Sequence, residues 1–253
     1  MSEIVHYEAD RAIATITLDS PANRNALSAQ LVTELDAHLH TVAGDPSVRA
    51  VVLTHTGRTF CAGADLKEQA TEGGPAEGTR RMLALLRTVI ELVKPVIARV
   101  DGNVRAGGLG LVGACDIAFG GPSSTFAFTE VRLGLAPAII SLTTLGRMSE
   151  RAAARYYLTG ETFDAAAAAA SGLITAACED VDAELAALTD ALRICAPQGL
   201  AETKTLTTRA VSARFHAYAE DVQARSQRLF ESDQAREGIM AFLEKRPPSW
   251  APQ

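Results

Sequence analysis

The chain has 253 residues, of which 47% are hydrophobic and 21% are charged. This is enough apolar surface for one sizeable core, alone or with a small appendage, so we predict a single catalytic unit. The formal net charge of −6 argues against nucleic acid as a partner, because the chain has no excess of basic residues to face a phosphate backbone. An anionic ligand would have to meet a few locally placed Arg or Lys side chains.

The cysteines and the N-terminal segment indicate a reducing compartment. The four cysteines lie far apart and form no C-x-x-C pair, which argues against a disulfide framework and against a zinc site: Cys61, Cys115, Cys178 and Cys195. We interpret them as buried thiols and expect no bound metal. The N-terminus lacks the features of a signal peptide, and no apolar run approaches the roughly 20 residues that cross a bilayer. We therefore expect a cytoplasmic protein without a membrane partner.

The first half of the chain repeats a strand, a glycine-containing turn and a helix. Alternating apolar residues over Ile4–Leu18 predict a hairpin that turns at Asp10-Arg11. Ser28 is a plausible N-cap for a helix with an apolar stripe, and a β-branched strand follows at Ala50–Thr54. Further on, Gly73–Gly78 has the composition of a mobile surface loop.

From about Ser149 onward the pattern becomes helical. Ser149, Asp164 and Asp182 are candidate N-caps in this part of the chain. The stretch Ala217–Lys245 is amphipathic and carries more apolar residues than a solvated tail needs. It must cover either a partner subunit or the body of its own chain.

Small residues in Phe60–Lys67 suggest a site where a ligand approaches the backbone. They follow a strand and precede a short helix, and the N–H groups at a helix start are unpaired and lie at the positive end of the helix dipole. We choose Ala64 as the candidate donor. The alternative is a tight turn that needs Gly63 only for its backbone angles.

A second glycine-rich segment, Val100–Asp116, has the same order of strand, turn and helix. Its Gly107-Gly108 pair is placed to present another N–H, and two converging donors would stabilise an oxyanion by roughly 2.7–4 kcal/mol each. Close packing of the glycines is the alternative. The segment also contains a G-x-G-x-x-G pattern, which is a weak dinucleotide signal because it does not directly follow its strand.

Several ordered motifs resemble the enoyl-CoA hydratase/isomerase, or crotonase, superfamily. The motifs are Asn23–Ser28, Phe60–Lys67, Ala106–Gly110 with Cys115–Ile117, Phe128–Pro137, Leu158–Gly160, Ala169–Leu173 and Gly238–Arg246. The resemblance implies an α/β fold, a crotonase-like spiral of ββα units over residues 1–195. It also implies a helical C-terminal oligomerisation region over residues 196–253 that forms homotrimers or homohexamers. The ligand would be an acyl-CoA thioester, with no separate cofactor.

The resemblance also assigns roles to individual residues. Ala64 and Gly107 match the two oxyanion-hole positions, and Glu130 matches one of the two catalytic glutamates of the hydratases. The positions that match the CoA-binding site of the family are Arg24, Ala62, Asp65, Leu66, Phe242 and Lys245. The last two match C-terminal residues that can reach CoA from a neighbouring subunit.

One departure from the family pattern leaves the reaction open. Gly110 stands where a typical hydratase has its second glutamate, so water activation by a pair of carboxylates is in doubt. Apolar neighbours would raise the pKa of Glu130 toward neutrality, which suits proton transfer; an ion pair with Arg132 is the alternative role. The leading prediction is a lyase that hydrates a 2-enoyl-CoA. A single-glutamate isomerase and a non-catalytic acyl-CoA binding protein remain as alternatives.

Overall fold

The computed structural model describes residues 2–69 and 74–252. Ten strands lie within this part of the chain: β1 (Val5–Asp10), β2 (Ile13–Leu18), β3 (Ala50–His55), β4 (Thr59–Cys61), β5 (Val96–Val100), β6 (Asn103–Arg105), β7 (Ile117–Gly120), β8 (Thr125–Ala127), β9 (Phe163–Asp164) and β10 (Ala176–Ala177).

Helices connect and cover these strands. Over the same described ranges they are α1 (Ala29–Gly44), α2 (Leu66–Gln69), α3 (Gly74–Glu91), α4 (Gly107–Ala114), α5 (Ser141–Thr144), α6 (Glu150–Thr159), α7 (Ala165–Ser171), α8 (Val181–Arg193), α9 (Pro197–Thr207), α10 (Arg209–Phe230) and α11 (Asp233–Leu243). Two 3-10 helices lie at Pro21–Asn23 and Thr129–Leu133.

The strands form two sheets that the chain visits in turn. The larger sheet has the order β1-β2-β3-β5-β7-β10, and the smaller one has the order β4-β6-β8-β9. The pairs β3–β5 and β5–β7 in one sheet, and β4–β6 and β6–β8 in the other, are parallel. Each repeat therefore adds one strand to each sheet before its helix, which confirms the predicted α/β spiral of ββα units with a helical C-terminal region.

Local signals at the N-terminus are confirmed in the structure. Strands β1 and β2 pair antiparallel, and their turn lies at Arg11 and Ala12, one residue later than predicted, with φ of 43° and 69°. The side chain of Ser28 accepts a hydrogen bond from the Leu31 amide at 3.2 Å and caps α1. The apolar stripe of α1 is buried in the main core: Leu31, Leu35, Leu39 and Val42.

Two local predictions are wrong. Gly74–Gly78 is not a loop but the start of α3, and Gly73 lies outside the described residues. A proline near the start, at position 75, is compatible with the first turn of a helix, and α3 is further held by packing on α10. Asp180, not Asp182, caps α8 by accepting from two amides, because Asp182 instead pairs with Arg99 at 2.7 Å.

The C-terminal helices pack on the spiral. Helix α10 lies against α3 and α5, while α11 lies against the segment Thr129–Leu133. Lys204 of α9 is buried and pairs with Asp116 at 2.9 Å, which fastens the start of this region to the core. The boundary between residues 195 and 196 falls between α8 and α9 and stays a prediction. Within the described chain no helix combines the length and the apolar character needed to cross a membrane.

Candidate active site

A cavity of about 1140 Å³ lies between the ends of the small-sheet strands and the helices α3, α10 and α11. Eight of the nine residues predicted for the site line it: Arg24, Ala62, Ala64, Asp65, Leu66, Gly107, Glu130 and Phe242. Lys245 does not. It follows α11 and is solvent-exposed, with a φ of 57°.

The two glycine-containing segments meet because their strands are neighbours. β4 and β6 are parallel, so the chain leaves both at the same edge of the sheet. Gly63 has a φ of 87°, and a Cβ there would lie 2.8 Å from the Ala106 Cβ and 3.1 Å from the Gly107 nitrogen. Only glycine allows this backbone angle and this close approach without strain.

Two amides at this contact are free to bind a ligand. Helix α4 begins at Gly107, so this N–H has no partner within the helix. Neither the Ala64 nor the Gly107 N–H donates to another residue in the described ranges. Ala106 has a φ of 47° and a ψ of −119°, an uncommon conformation for a residue with a side chain. This turn sets the direction of the Gly107 amide.

Glu130 supplies the carboxylate of the cavity. It lies in the 3-10 helix that follows β8, beside the ends of β4 and β6. Its Oε2 atom is buried and has no hydrogen-bond partner in the described structure. Burial raises the pKa of Glu130 from 4.5 to about 7. Arg132 donates instead to the Thr159 carbonyl at 3.3 Å, so the alternative ion pair with Glu130 is not found.

An apolar wall occupies the place where a side chain at position 110 would project. A Cβ on Gly110 would lie 2.5 Å from Cγ2 of Ile140 and 3.0 Å from Cε of Met82. The neighbouring glycines of α4 are equally crowded, Gly108 against Cys61 and Gly113 against Thr143 and Thr144. The G-x-G-x-x-G pattern therefore serves close packing, and it does not open toward a diphosphate.

The wall of the cavity is cationic although the chain is acidic. Its charged lining consists of Arg24, Arg58, Lys67, Arg81, Arg105 and Arg132 against Asp65 and Glu130. Arg58 and Arg105 were not predicted, because nothing in their local sequence marks them as site residues. Arg105 is half-buried and donates only to neutral acceptors, including the Thr125 carbonyl at 2.7 Å. Burial lowers the pKa of Arg105.

Asp65 and Cys61 have structural partners within the site. The Asp65 carboxylate accepts from the amides of Lys67 and Glu68 at 3.1 and 3.2 Å and so caps the short helix α2.

Cys61 is fully buried, and burial raises the pKa of its thiol to about 12, so the side chain serves packing and is not a reactive thiol. The prediction of buried thiols is correct for Cys61 and Cys115 but wrong for Cys195, which is exposed after α8.

Comparison with known proteins agrees with this geometry. The family described as enoyl-CoA hydratase/isomerase matches residues 8–253. An enoyl-CoA hydratase structure from Mycobacterium avium is 55% identical, covers 99% of this chain and 100% of its own, and has a TM-score of 0.92. An enoyl-CoA hydratase/isomerase from Marinobacter aquaeolei is 32% identical, covers 99% and 100% of the two chains, and has a TM-score of 0.75. An enoyl-CoA hydratase of Mycobacterium tuberculosis is 34% identical over 93% of this chain and 91% of its own. This chain is a member of the enoyl-CoA hydratase/isomerase family.

Proposed function

We propose that the protein hydrates a 2-enoyl-CoA thioester. The thioester oxygen accepts hydrogen bonds from the Ala64 and Gly107 amides, which stabilise the enolate that forms when oxygen adds to the β-carbon. The Glu130 carboxylate takes a proton from the attacking water, and the protonated Glu130 then delivers a proton to the α-carbon. The net change is the addition of water across the double bond. The observation that carries this proposal is a carboxylate whose Oε2 atom is buried and unpaired, lining the same cavity as two free amides.

The environment of Glu130 suits both halves of this cycle. A group whose pKa is about 7 is close to evenly divided between acid and base at neutral pH. The cationic wall of the cavity supports the choice of an acyl-CoA ligand, because CoA carries phosphates that an acidic protein would otherwise repel. Arg24 is exposed and forms no ion pair among the described residues, so its guanidinium is available to such a phosphate.

The apolar wall beside Gly110 favours one second candidate, double-bond isomerisation. Ile140 and Met82 stand in place of a second carboxylate at Gly110. Of the two carboxylates that line the cavity in the described part of the chain, Asp65 caps α2, which leaves Glu130 as the acid or base. In an isomerase Glu130 would remove a proton from the α-carbon of a 3-enoyl-CoA and return it to the γ-carbon. This reaction needs one carboxylate and no activated water.

Turnover of a panel of 2-enoyl- and 3-enoyl-CoA thioesters tests the proposal. Loss of the enoyl absorbance with 2-enoyl substrates indicates hydration, and its appearance with 3-enoyl substrates indicates isomerisation. Glu130→Gln keeps the shape of the side chain and removes the titratable group, so kcat should fall by about 10²–10⁴ while binding changes much less. Full activity in a folded Glu130→Gln protein would overturn the mechanism. A wild type that binds acyl-CoA without turnover would instead indicate a binding protein.

A further inference from the structure

Two buried hydroxyl groups lie next to each other in the wall of the cavity. Thr79 on α3 is 5% exposed and Ser226 on α10 is 7% exposed, and both line the cavity. Their oxygens are 3.4 Å apart. Within the described chain this long contact is the only hydrogen bond that either side chain makes.

Other buried threonines of this protein are better satisfied. The hydroxyl groups of Thr144 and Thr208 each donate to the carbonyl four residues earlier at 2.7 Å. This is the usual way in which a threonine in a helix is satisfied. Among the described residues, Thr79 and Ser226 are recorded with no such bond, although burying an incompletely bonded hydroxyl costs free energy. Two hydroxyl groups together offer two protons and four lone pairs, and one weak contact uses little of this capacity.

The pair lies beyond the reacting end of the cavity. Met82, three residues after Thr79 on α3, reaches the oxyanion segment, since its Cε lies 3.7 Å from a Cβ built on Gly107. Three residues of helix place Thr79 about 4.5 Å further along the axis of α3. Phe230, four residues after Ser226 on α10, also lines the cavity on this side. A thioester held at Gly107 would therefore extend its acyl chain past Met82 toward the two hydroxyls.

We propose that Thr79 and Ser226 form a polar subsite for a hydroxyl or carbonyl oxygen carried on the acyl chain. The inference rests on the proposed function, because it takes the acyl-CoA to be seated with its carbonyl at Gly107. An oxygen that approaches the pair from the cavity, within hydrogen-bond distance of both side chains, accepts from one hydroxyl and, if it carries a proton, donates to the other. A purely hydrocarbon chain leaves both groups with their one long contact. The substrate class is thus an oxygenated enoyl-CoA.

Binding measurements test the subsite without requiring turnover. We would titrate the protein by calorimetry with saturated acyl-CoA thioesters from pentanoyl to octanoyl, with their forms hydroxylated on the last carbon and with their forms that carry a ketone on the carbon before it. At the length that places the oxygen within hydrogen-bond distance of Thr79 and Ser226, the oxygenated form should bind about 5–10-fold more tightly, the scale of one or two net hydrogen bonds. Thr79→Val and Ser226→Ala should each bring this ratio close to one. Thr189→Val, the same change at a buried threonine of α8 outside the cavity, should leave the ratio as in the wild type.

The same series separates the two proposals. If the enoyl forms are not turned over but the binding preference is present and lost in the variants, the proposed reaction is wrong and the subsite stands. If turnover occurs but no length shows a preference for oxygen, the subsite is wrong and the reaction stands. A preference that survives in both folded variants would also overturn the subsite, since neither hydroxyl would then be its source.

Discussion

Glu130 combines two properties that oppose each other. Its carboxylate is enclosed, and among the described residues its Oε2 atom has no hydrogen-bond partner, which disfavours the ionised form in the folded protein. The same burial moves its pKa to about 7, where a carboxylate is most useful for moving protons at neutral pH. The group therefore costs stability in the state in which it acts as a base.

We expect Glu130→Gln to stabilise the fold increasingly as the pH rises from about 4.5 to 7. The folded pKa is raised above its unfolded value of 4.5, so the folded state binds the proton more tightly. The wild type thus loses stability over this interval, and above about pH 7 the loss is complete. Glutamine does not titrate. Thermal unfolding of both proteins across this pH range measures the difference.

The control for this pH series is Glu8→Gln, at an exposed position of β1. This change removes one carboxylate charge and alters no buried group. Its difference from the wild type should vary less with pH than that of Glu130→Gln. A difference for Glu130→Gln that is constant between about pH 4.5 and 8 would contradict a buried carboxyl with a raised pKa.

Gly110 is the second residue at which packing limits the chemistry. Gly110→Ala places a methyl group 2.5 Å from Cγ2 of Ile140, and we expect a loss of about 1–3 kcal/mol in the free energy of unfolding. Ile140→Ala removes the obstructing atoms, so the double variant should lose less than the sum of the two single losses. Urea denaturation of the two single variants and the double variant measures this coupling. Strictly additive losses would mean that Ile140 is not what excludes a side chain at position 110.

At the level of elements, α11 supports the segment that carries Glu130. Gly134, at the end of the 3-10 helix, has a φ of 73°, and a Cβ there would lie 2.6 Å from the carbonyl carbon of Gln234. A Cβ on Gly238 would lie 2.5 Å from the carbonyl carbon and oxygen of Leu133. The two backbones approach so closely only because both positions are glycine. The C-terminal helix thus helps to fix the position of the segment that carries Glu130.

Gly238→Ala should weaken both stability and catalysis. The added methyl group meets backbone atoms of Leu133, so α11 or the 3-10 helix must move, at a cost of about 1–3 kcal/mol. Because Glu130 lies in the displaced segment, kcat should fall as well. Gly199→Ala on α9 is the matched control: its Cβ meets nothing within 4 Å, so it should stabilise the protein by up to about 1 kcal/mol. An unchanged kcat in a destabilised Gly238→Ala protein would mean that α11 does not position the segment that carries Glu130.

The elements that sequence predicted best are those whose cause is local. The hairpin and the Ser28 cap depend on residues a few positions apart, and both are confirmed. The prediction that Asp182 caps α8 is wrong for two reasons. Asp180 has the same carboxylate and accepts from the Asp182 amide, and the Asp182 side chain pairs with Arg99, which is 83 residues away in the sequence. Small residues at two helix starts pointed to Ala64 and to the Gly107-Gly108 pair as amide donors, and the family resemblance then assigned their role and that of Glu130.

Most of the remaining site depends on contacts between distant parts of the chain. The Thr79–Ser226 contact spans 147 residues, and no local pattern marks either hydroxyl. The same holds for Ile140 against Gly110, which a scan for motifs records only as a missing glutamate. Such positions follow from the fold, which brings the helices α3, α10 and α11 and the residue Ile140 around one cavity.

At the scale of the whole molecule, the helices leave several large apolar side chains exposed. Several large apolar side chains of the helices are at least half exposed: Leu158, Leu206, Tyr218 and Phe242. Phe242 also lines the cavity, while Lys245, three residues later, does not. Both were predicted to approach CoA. A neighbouring subunit that covers the end of α11 would enclose this rim of the cavity. Lys245 could then contact a CoA molecule bound in the neighbouring subunit.

We expect the protein to assemble into trimers or hexamers through its C-terminal helices. Burial of exposed apolar side chains is the driving force, so light scattering should report a mass near three or six times 26.7 kDa. Met240→Glu places a charge on an exposed apolar position of α11 and should lower this mass. Ile194→Glu makes the same change at the end of α8, outside the predicted oligomerisation region, and should leave the mass as it is. A stable monomer at micromolar concentration would contradict assembly altogether. A loss of assembly only in Ile194→Glu would place the interface outside the C-terminal helices.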